Sequence, residues 1–378
     1  MRIGINALYL IPGKVGGTET YVRNLCRSLV EAASGHEFVV FINKESAGVF
    51  EKDAPGIEVA QCGVAASSRP ARIIWEQLFL PFQLRRRKID VLLSAGYTAP
   101  FLSPVPSVTV IHDLQHKALP RNFSWWYLLF LRSIIYLSAK SADGVITISV
   151  KSKEEIMRYY KIAPERIVVT YLAADERRFY KRSQAEITDA RKRYDLPNRF
   201  ILYAASSLPH KNYERLLAAY KLVRGEAPDI KLVLAGPRSY GMGAIEDMIG
   251  ALGLSDDVVF AGWISHDDLP AIYSGAELFV FPSLYEGFGM PVLEAFACAT
   301  PVVCSNIAPM TEIAAGAVVY VDPLDERDIA RGMLSALRDN VLRERLRADG
   351  LERVKAFSWA KTASRTLETL EGYADTHT

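Results

Sequence analysis

The sequence predicts an α/β protein made of two Rossmann-like domains that face each other across a cleft. Three observations support this prediction. At 378 residues the chain is long for one core and suits two domains of roughly 150–200 residues each. Short, near-continuous apolar runs alternate with amphipathic helical segments in both halves. This alternation is typical of parallel sheets covered on both faces, which bind ligands beyond the carboxyl ends of their strands.

Apolar runs predict the strands of each domain in chain order. In the first half these runs are RIGINAL, EFVVFIN, VLLSAG, SVTVIHD, GVITIS and RIVVTYLA. In the second half they are FILYAA, IKLVLAG, DVVFAG, ELFVFPS, PVVCS and VVYVD. The polar segment 175–199 interrupts the alternation and predicts a linker followed by the first surface helix of the second domain. We therefore expect domains at residues 1–180 and 181–355, followed by a C-terminal helix within residues 356–378.

Composition narrows the class of function. With 45 basic and 43 acidic residues, the net charge of +2 gives no reason to expect nucleic acid as the main partner. The four cysteines show no CxxC spacing and no signal-peptide pattern opens the chain, so we expect a reduced, cytoplasmic protein. The apolar stretch WWYLLFLRSIIYL is interrupted by Arg132 and is too short to span a bilayer. Any membrane contact is therefore expected to be peripheral.

The stretch SLYEGFGMPVLEA carries the strongest signal for a ligand site. It follows the predicted strand ELFVFPS and leads into a helix in which Pro291 suits the first turn, where a missing N–H does no harm. Gly287 and Gly289 allow close backbone approach, and the amides of the first helical turn form an anion site. Glu286 lies on the loop and Glu294 about one turn inside the helix, and each carboxylate accepts hydroxyl hydrogen bonds. The pattern predicts sugar and ribose hydroxyls as ligands; the alternative is a helix N-terminal carboxylate beside a solvated glutamate.

The spacing of the two glutamates in YEGFGMPVLEA resembles the signature of the family four retaining glycosyltransferases, which have the two-domain GT-B architecture. Other segments follow in the order of that family: GGTE at 16–19, HD at 112–113, LPHKN at 208–212, LAGP at 234–237 and PVVCSN at 301–306. The resemblance covers nearly the whole chain. It implies an acceptor-side first domain, a second domain that binds the nucleotide sugar, and a C-terminal helix that packs back on the first domain.

The resemblance also implies the residues of the site. Lys211, Glu286 and His112 would be catalytic, with Glu286 binding hydroxyls of the donor sugar. Glu294 would bind the ribose of the nucleotide. The full set of expected donor-binding residues is Gly16, Gly17, His210, Gly287, Phe288, Gly289, Met290, Pro291, Val292 and Glu294.

Lys211 follows the predicted strand FILYAA across a short loop and is expected at the same ligand edge. Breaking a glycosyl–diphosphate bond leaves negative charge on the diphosphate, which a preplaced ammonium and helix-end amides stabilise. The alternative is a solvated loop lysine. The family pattern carries an arginine a few residues earlier, where this chain has Ala205 and Ser206. His210 is the nearest local substitute, with a charge that depends on pH.

The segment YLIPGKVGGTETYVRNLCRSLV predicts a phosphate- or sugar-approach loop with Gly16 and Gly17 before a helix. It matches neither GxGxxG nor GxxxxGK[ST], which disfavours a dinucleotide oxidoreductase and a P-loop enzyme. His112 ends the strand SVTVIHD, where it is expected to meet the sugar and the acceptor; a structural histidine is the alternative. Asp113 would either orient this histidine or cap the following turn.

The resemblance implies transfer with retention of the anomeric configuration. No carboxylate pair of the glycosidase kind is evident, which favours front-face attack with the leaving diphosphate accepting the acceptor's proton. The chain carries no DxD-like motif in a suitable loop, so we expect no metal and no other cofactor. The nucleotide sugar is then a substrate.

The donor remains open among several nucleotide sugars. LPHKN and YEGFGMPVLEA resemble the mannosyltransferases of this family, which puts GDP-mannose first, ahead of UDP-glucose and a dTDP- or UDP-linked deoxysugar. Alternatives of the same fold are a sugar phosphorylase and a sucrose- or trehalose-phosphate synthase. A non-catalytic sugar-nucleotide-binding protein is a further alternative, which Lys211, Glu286 and Glu294 disfavour.

Two segments concern the acceptor. RIIWEQLFLPFQLRRRKID places the basic cluster of residues 85–88 beside apolar and aromatic side chains, and RNFSWWYLLFLRSIIYL adds Trp125 and Trp126. Basic residues beside aromatic ones suit an anionic bilayer surface. Equally, the cluster can be a helix C-terminal turn whose apolar face is core. The membrane interpretation predicts a polyprenyl-diphosphate-linked saccharide acceptor at the inner face of the cell membrane, in cell-surface polysaccharide assembly.

Overall fold

The structure is a computed structural model that describes residues 1–32, 35–120, 124–237 and 241–375. Its contacts divide the chain into two units. Unit 1 comprises Met1–Leu172 with Ser358–Thr378, and unit 2 comprises Ala173–Phe357. Each unit contains one parallel sheet, so the predicted α/β class with two parallel-sheet domains is confirmed.

Unit 1 is built on a seven-stranded sheet in the order β3-β2-β1-β4-β5-β6-β7. Its strands are β1 (Arg2–Asn6), β2 (Glu37–Ile42), β3 (Glu58–Gln61), β4 (Val91–Ser94), β5 (Ser107–Val110), β6 (Gly144–Thr147) and β7 (Ile167–Val169). Its helices before the second unit are α1 (Gly17–Ala32), α2 (Val49–Asp53), α3 (Arg69–Leu78), α4 (Leu80–Arg86), α5 (Gln115–Ala118), α6 (Trp125–Ser141) and α7 (Val150–Tyr160). The central strands are buried along their whole length, as expected when helices cover both faces.

Among the described strands of unit 1, β3 is the one that the apolar runs did not predict. It lies at the edge of the sheet, pairs only with β2, and exposes Glu58 and Gln61. An edge strand needs burial on fewer sides, so its sequence EVAQ lacks the apolar run that marks a central strand.

Unit 2 is built on a six-stranded parallel sheet in the order β10-β9-β8-β11-β12-β13. Its strands are β8 (Phe200–Ala204), β9 (Lys231–Ala235), β10 (Val258–Gly262), β11 (Leu278–Phe281), β12 (Val302–Ser305) and β13 (Val319–Val321). Its helices are α8 (Gln184–Arg193), α9 (Tyr213–Glu226), α10 (Met242–Leu252), α11 (Leu269–Gly275), α12 (Met290–Ala297), α13 (Met310–Ala314), α14 (Glu326–Arg338) and α15 (Asn340–Val354). Strand order reverses between β8 and β11, and ligands bind such sheets at that switch point.

The segment between the two sheets belongs to unit 2 from Ala173 onward, earlier than the expected start at residue 181. The reason is packing against α11: the Phe179 ring lies 6.3 Å from the Tyr273 ring, and the amide of Arg182 donates to Ser274 Oγ at 3.1 Å. The predicted surface helix is α8, whose Ser183 and Glu186 form a reciprocal capping box.

The last helix, α16 (Trp359–Asp375), packs against α1 and β4 of unit 1. The Trp359 ring lies 6.3 Å from that of Tyr21, and Thr362 Oγ1 donates to the carbonyl of Tyr171 at 2.5 Å. Tyr373 lies over Gly144 so closely that a Cβ on that glycine would fall 2.3 Å from the ring. The chain therefore leaves unit 1 after Leu172, forms the sheet of unit 2, and returns to unit 1 at Ser358.

Candidate active site

Lys211 and Glu286 lie on the two loops that leave β8 and β11, the neighbouring strands at which the order of the unit 2 sheet reverses. The Lys211 Nζ donates to Glu286 Oε1 at 2.6 Å. Their side chains are only 14% and 13% exposed, and the ammonium lies 5.1 Å from the centre of the Phe281 ring. The structure thus brings together the two residues that carry the predicted chemistry in one sheltered ion pair.

Asn212, the last residue of LPHKN, fixes the loop that carries Lys211, a role that its sequence does not indicate. Its backbone is left-handed, and its side-chain amide donates to the carbonyls of Pro282 at 2.9 Å and Pro323 at 2.7 Å. The Tyr203 hydroxyl donates to the carbonyl of Lys211 at 2.5 Å. The loop after β8 is therefore tied to the loop after β11, which holds the ammonium in place before any ligand arrives.

Burial opposes a role for His210 as the second cation. Its side chain is buried, and its carbonyl accepts the amide of Leu284 at 2.8 Å. Burial and the neighbouring Lys211 charge lower the pKa of His210 to about 4. The imidazole is therefore neutral at pH 7.

The first turn of α12 is shaped by Gly289 and Pro291. Gly289 has φ of +118°, a backbone conformation that other residues rarely adopt, so the position favours glycine. Met290 begins the helix, and the amide of Val292 already donates back to the carbonyl of Gly289 at 3.0 Å. In the preceding loop Gly287 and Phe288 are buried, the latter with its ring 6.1 Å from that of Phe357. The predicted strand–loop–helix context is present.

Glu294 lies on α12, partly buried, with Oε2 accepting the Tyr273 hydroxyl at 3.2 Å. Burial raises the pKa of Glu294 to about 7, against the opposing effects of the Tyr273 hydrogen bond and the Arg178 charge. The Glu294 carboxyl therefore titrates near neutral pH. The effects of Tyr273 and Arg178 on Glu294 could not be predicted from the sequence, because both residues are distant from Glu294 in the chain.

In unit 1, His112 follows the carboxyl end of β5 and is buried between two tyrosine rings. Ring centroids lie 4.8 Å away for Tyr21 and 5.4 Å away for Tyr97. Burial lowers the pKa of His112 to about 4, so the ring is neutral, and its Nε2 lies 3.3 Å from the carbonyl oxygen of Ala95. A carbonyl only accepts, so Nε2 carries the proton and Nδ1 is left as an acceptor for a hydroxyl.

Asp113 caps the turn that follows His112. Its Oδ1 accepts the amide of Gln115 at 3.2 Å and the Tyr97 hydroxyl at 3.3 Å. Of the two roles that the sequence left open, the structure shows the capping one.

The predicted glycine loop leaves β1 and ends where α1 begins at Gly17. Gly16 has φ of +58°, and a Cβ on either glycine would meet no atom within 4 Å. Glu19 in the first turn closes the loop by accepting the amide of Gly13 at 2.7 Å and pairing with Arg23 at 2.8 Å. The space at the two glycines is therefore not needed for packing inside the unit.

The structure does not bring the carboxylates of the chain into a metal-binding cluster. Across residues 1–32, 35–120, 124–237 and 241–375, no three His, Cys, Asp or Glu side chains are grouped to hold a metal ion. The expectation of a metal-free reaction remains a prediction.

Two family descriptions divide the chain as its two sheets do. Residues 15–178 match the family described as Glycosyltransferase Family 4, and residues 185–353 match the family described as Glycosyl transferases group 1. The O-antigen chain mannosyltransferase B of Escherichia coli is 33% identical over 69% of this chain and 69% of its own length. The O-antigen chain mannosyltransferase RfbU of Salmonella typhimurium is 26% identical over 76% of this chain and 78% of its own. The serotype-specific mannosyltransferase WbdA of Escherichia coli is 33% identical over 70% of this chain, a match that spans 33% of the length of WbdA.

Solved structures share the whole fold. The sucrose-phosphate synthase of Thermosynechococcus elongatus superposes over 100% of both chains with a TM-score of 0.79 at 21% identity. HepE of Anabaena, in complex with UDP and glucose, covers 98% of this chain and 100% of its own with a TM-score of 0.78 at 20% identity. The fold is therefore that of the GT-B glycosyltransferases. The chain belongs to the family four glycosyltransferases, and it is a glycosyltransferase enzyme.

Proposed function

We propose that the enzyme transfers mannose from GDP-mannose, with retention of configuration, to a saccharide carried on a polyprenyl diphosphate, in the assembly of a cell-surface polysaccharide. The observation that carries this proposal is the ion pair of Lys211 and Glu286 at the switch point of the unit 2 sheet. The choice of mannose and of polysaccharide assembly is supported by the O-antigen mannosyltransferases to which the chain is similar.

In unit 2, different residues bind different parts of the donor. The Lys211 ammonium faces the β-phosphate, where negative charge grows as the glycosyl bond breaks, and Glu286 accepts hydroxyls of the sugar. When the donor binds, it replaces part of the direct Lys211–Glu286 contact with contacts to itself. Glu294 accepts the ribose hydroxyls from the first turns of α12. No metal or other cofactor takes part in this scheme.

The transfer exchanges one glycosidic oxygen for another on the same face of the sugar. The bond from C1 to the phosphate oxygen breaks, the bond from C1 to the acceptor oxygen forms, and the acceptor's proton passes to the leaving phosphate. In unit 1, the unprotonated Nδ1 of His112 accepts a hydrogen bond from a hydroxyl of the acceptor and orients it. Its lowered pKa keeps this acceptor unprotonated throughout the neutral range.

The pKa of Glu294 leads to a pH dependence of donor binding. If the ribose is held by the carboxylate, GDP-mannose should bind about ten-fold more tightly at pH 8 than at pH 6, because the pKa of about 7 lies between them. The two buried histidines of the site have pKa values of about 4 and are neutral across this range. Titration calorimetry checks the profile, with Glu294→Gln as the matched variant. The Gln variant should give a flat profile; an unchanged profile would remove Glu294 from ribose binding.

The donor is tested most simply by a thermal-shift panel of GDP-mannose, UDP-glucose and a dTDP-linked deoxysugar. A ligand at 100 times its Kd stabilises the native state by about 2.7 kcal/mol, whereas a non-binding one leaves the Tm unchanged. We expect the largest Tm increase with GDP-mannose. A larger shift with a UDP- or dTDP-sugar would contradict the proposed donor.

Membrane contact is supported by helix α3 of unit 1, which turns charged side chains inward and apolar side chains outward. Helix α3 buries Arg72 and Glu76, which pair at 3.4 Å, and exposes Ile74 and Leu78. Glu76 also accepts Thr98 Oγ1 at 3.0 Å. A surface helix of a globular protein ordinarily turns its apolar side inward and its charges outward. The outward apolar side of α3 therefore suits an apolar surrounding.

Helix α6 continues this apolar surface. Trp126, Leu129 and Leu137 follow one another at helical spacing and are 66%, 57% and 46% exposed. The two helices are neighbours, since the Arg69 guanidinium of α3 lies 5.0 Å from the centre of the Tyr127 ring on α6. We define the outer apolar surface as Ile74, Leu78, Phe79, Phe82, Leu102, Trp125, Trp126, Leu129, Phe130 and Leu137, all of them exposed. So many exposed large apolar side chains on one unit indicate an interaction site.

The basic cluster stands at the edge of the outer apolar surface. Helix α4 ends at Arg86, so the cluster does occupy a helix C-terminus, but Phe82 one turn earlier is exposed and not core. Arg85 and Arg86 are exposed, whereas Arg87 pairs with Glu58. Exposed cations beside an apolar surface complement anionic headgroups above acyl chains. Residues 121–123 of the tryptophan-bearing segment lie outside the described residues.

None of the described helices is both long and apolar enough to cross a membrane. The proposed contact is therefore with the membrane surface, through the outer apolar surface and Arg85 and Arg86. It places the first unit against the anionic inner face of the cell membrane, where a polyprenyl-linked acceptor would be found.

A further inference from the structure

Three basic side chains gather around Tyr160 on the acceptor-side unit. The His116 Nε2 lies 3.1 Å from the Tyr160 hydroxyl, and the Lys117 Nζ lies 5.6 Å from the centre of its ring. Arg132 lies on α6, which packs against α5, the helix of His116 and Lys117. Burial and, to a smaller extent, the Arg132 charge lower the pKa of both Lys117 and His116. We call this group the Lys117–Arg132 cluster, which includes His116 and Tyr160.

Within the part of the chain that the structure describes, neither Lys117 nor Arg132 makes an ion pair, and the Arg132 Nε is buried without a hydrogen-bond partner. His116 and Tyr160 are buried, and the pKa of His116 of about 4 makes it neutral. Two like charges in a partly desolvated position repel each other, and a bound anion offsets that repulsion.

The position of the cluster connects the proposed chemistry to the proposed membrane contact. Helix α5, which carries His116 and Lys117, begins three residues after His112 at the ligand edge of the unit 1 sheet. Arg132 lies on α6, the helix that exposes Trp126 and Leu129. An acceptor whose saccharide is near His112 and whose lipid lies along α6 therefore carries its phosphates near Lys117 and Arg132.

We propose that Lys117 and Arg132 bind the diphosphate that links the acceptor's saccharide to its lipid, with Tyr160 and His116 forming the wall of the site. The inference rests on the proposed function and names the feature of the acceptor that unit 1 recognises. The two cations contribute charge-assisted hydrogen bonds to phosphate oxygens and make no contact with the reacting carbon. They are positioning residues, which fix how far the acceptor hydroxyl extends from the membrane.

The test compares two acceptors that differ only in the linker. One carries the saccharide on a polyprenyl diphosphate and the other carries it on a neutral alkyl chain, both in detergent micelles. Lys117→Gln and Arg132→Gln should each raise the KM for the diphosphate-linked acceptor about ten-fold or more, because each removes a charge-assisted contact. KM for the neutral acceptor and for GDP-mannose should stay unchanged. Lys117→Arg, which keeps the charge, should leave the KM for the diphosphate-linked acceptor close to that of wild type.

The matched control is Lys52→Gln on α2, an exposed lysine that makes the same change of charge elsewhere on unit 1. It should leave all KM values unchanged. Equal KM increases for both acceptors, or none for either, would overturn the proposal. So would a Lys52→Gln effect as large as that of Lys117→Gln, since this would show a general electrostatic attraction.

A binding measurement separates this site from the transfer reaction and from ordinary headgroups. Neutral phosphatidylcholine vesicles doped with polyprenyl diphosphate should bind wild type more strongly than the Lys117→Gln/Arg132→Gln variant. Vesicles with phosphatidylglycerol instead should bind both proteins alike. A loss confined to phosphatidylglycerol vesicles would overturn the diphosphate site in favour of a headgroup site. Wild type that shows the expected diphosphate binding but transfers no mannose would refute the proposed function and leave this site standing.

Discussion

Replacing Lys211 or Glu286 with alanine is expected to lower kcat by roughly 100-fold or more, because each change removes a preorganised contact to the transition state. The loop that holds Lys211 is fixed by Asn212 and Tyr203, whose contacts these changes do not remove. Circular dichroism should therefore show the native fold. Steady-state transfer of mannose to the lipid-linked acceptor is the measurement.

Breaking the ion pair can also lower the stability of each single variant, and a double variant separates this effect from the loss of catalysis. Each single change removes one side of the ion pair and leaves the other charge partly buried, so each should destabilise the protein. The Lys211→Ala/Glu286→Ala variant leaves neither charge behind and should lose less stability than the sum of the two. Its kcat should nevertheless stay at the level of the lower single variant. Lys221→Ala, exposed on α9, is the matched control. Rates within a few-fold of wild type for both single variants would remove both residues from catalysis.

Neutralising Arg85 and Arg86 to glutamine is expected to weaken binding to anionic vesicles by roughly 30-fold, since each basic residue contributes about 1 kcal/mol near such a surface. Arg87 and Lys88 are left in place: Arg87 pairs with Glu58, and Lys88 has φ of +53° in the turn after α4. Co-sedimentation with phosphatidylglycerol vesicles measures the loss. Lys52→Gln/Lys221→Gln, with the same change of charge at other exposed positions, is the control.

The aromatic part of the outer apolar surface gives an independent measurement. Trp125 and Trp126 stack with centroids 3.4 Å apart and are 61% and 66% exposed, so their fluorescence should shift to the blue when vesicles are added. Turnover of a short water-soluble acceptor should survive in the Arg85→Gln/Arg86→Gln variant. Unchanged sedimentation of that variant together with unshifted fluorescence would contradict the membrane contact and, with it, the lipid-linked acceptor.

Much of the fold was predictable because parallel strands are buried on both faces. ELFVFPS and FILYAA are apolar enough to identify β11 and β8, and their carboxyl ends then place Glu286 and Lys211 at one sheet edge. The direct contact between these two side chains was not predictable, since it depends on the register of β8 against β11 and on Asn212 bridging the loops. The edge strand β3 was missed because half of its residues face solvent.

The pKa values of the site residues were harder to predict from the sequence than their positions in the fold. His210 stood next to Lys211 in sequence and suggested a second cation, but only tertiary packing determines that its ring is buried and neutral. The raised pKa of Glu294 likewise depends on burial beside Tyr273 of α11. Large apolar residues of α6 point in all directions around the helix, so periodicity does not distinguish its outward from its inward face. Only the structure shows that Trp126 and Leu129 face outward while Ile134 and Ile135 are core.

The anomeric configuration of the product tests the central claim most directly. GDP-mannose carries an α-linked mannose, so retaining transfer must yield an α-mannoside. The enzyme is incubated with GDP-mannose labelled with ¹³C at C1 and with the lipid-linked acceptor, and the C1–H1 coupling of the purified product is measured by NMR. The account predicts the coupling of an α-mannoside, formed by wild type and lost in Lys211→Ala. A β-mannoside, or release of free mannose with no product on the acceptor, would contradict it.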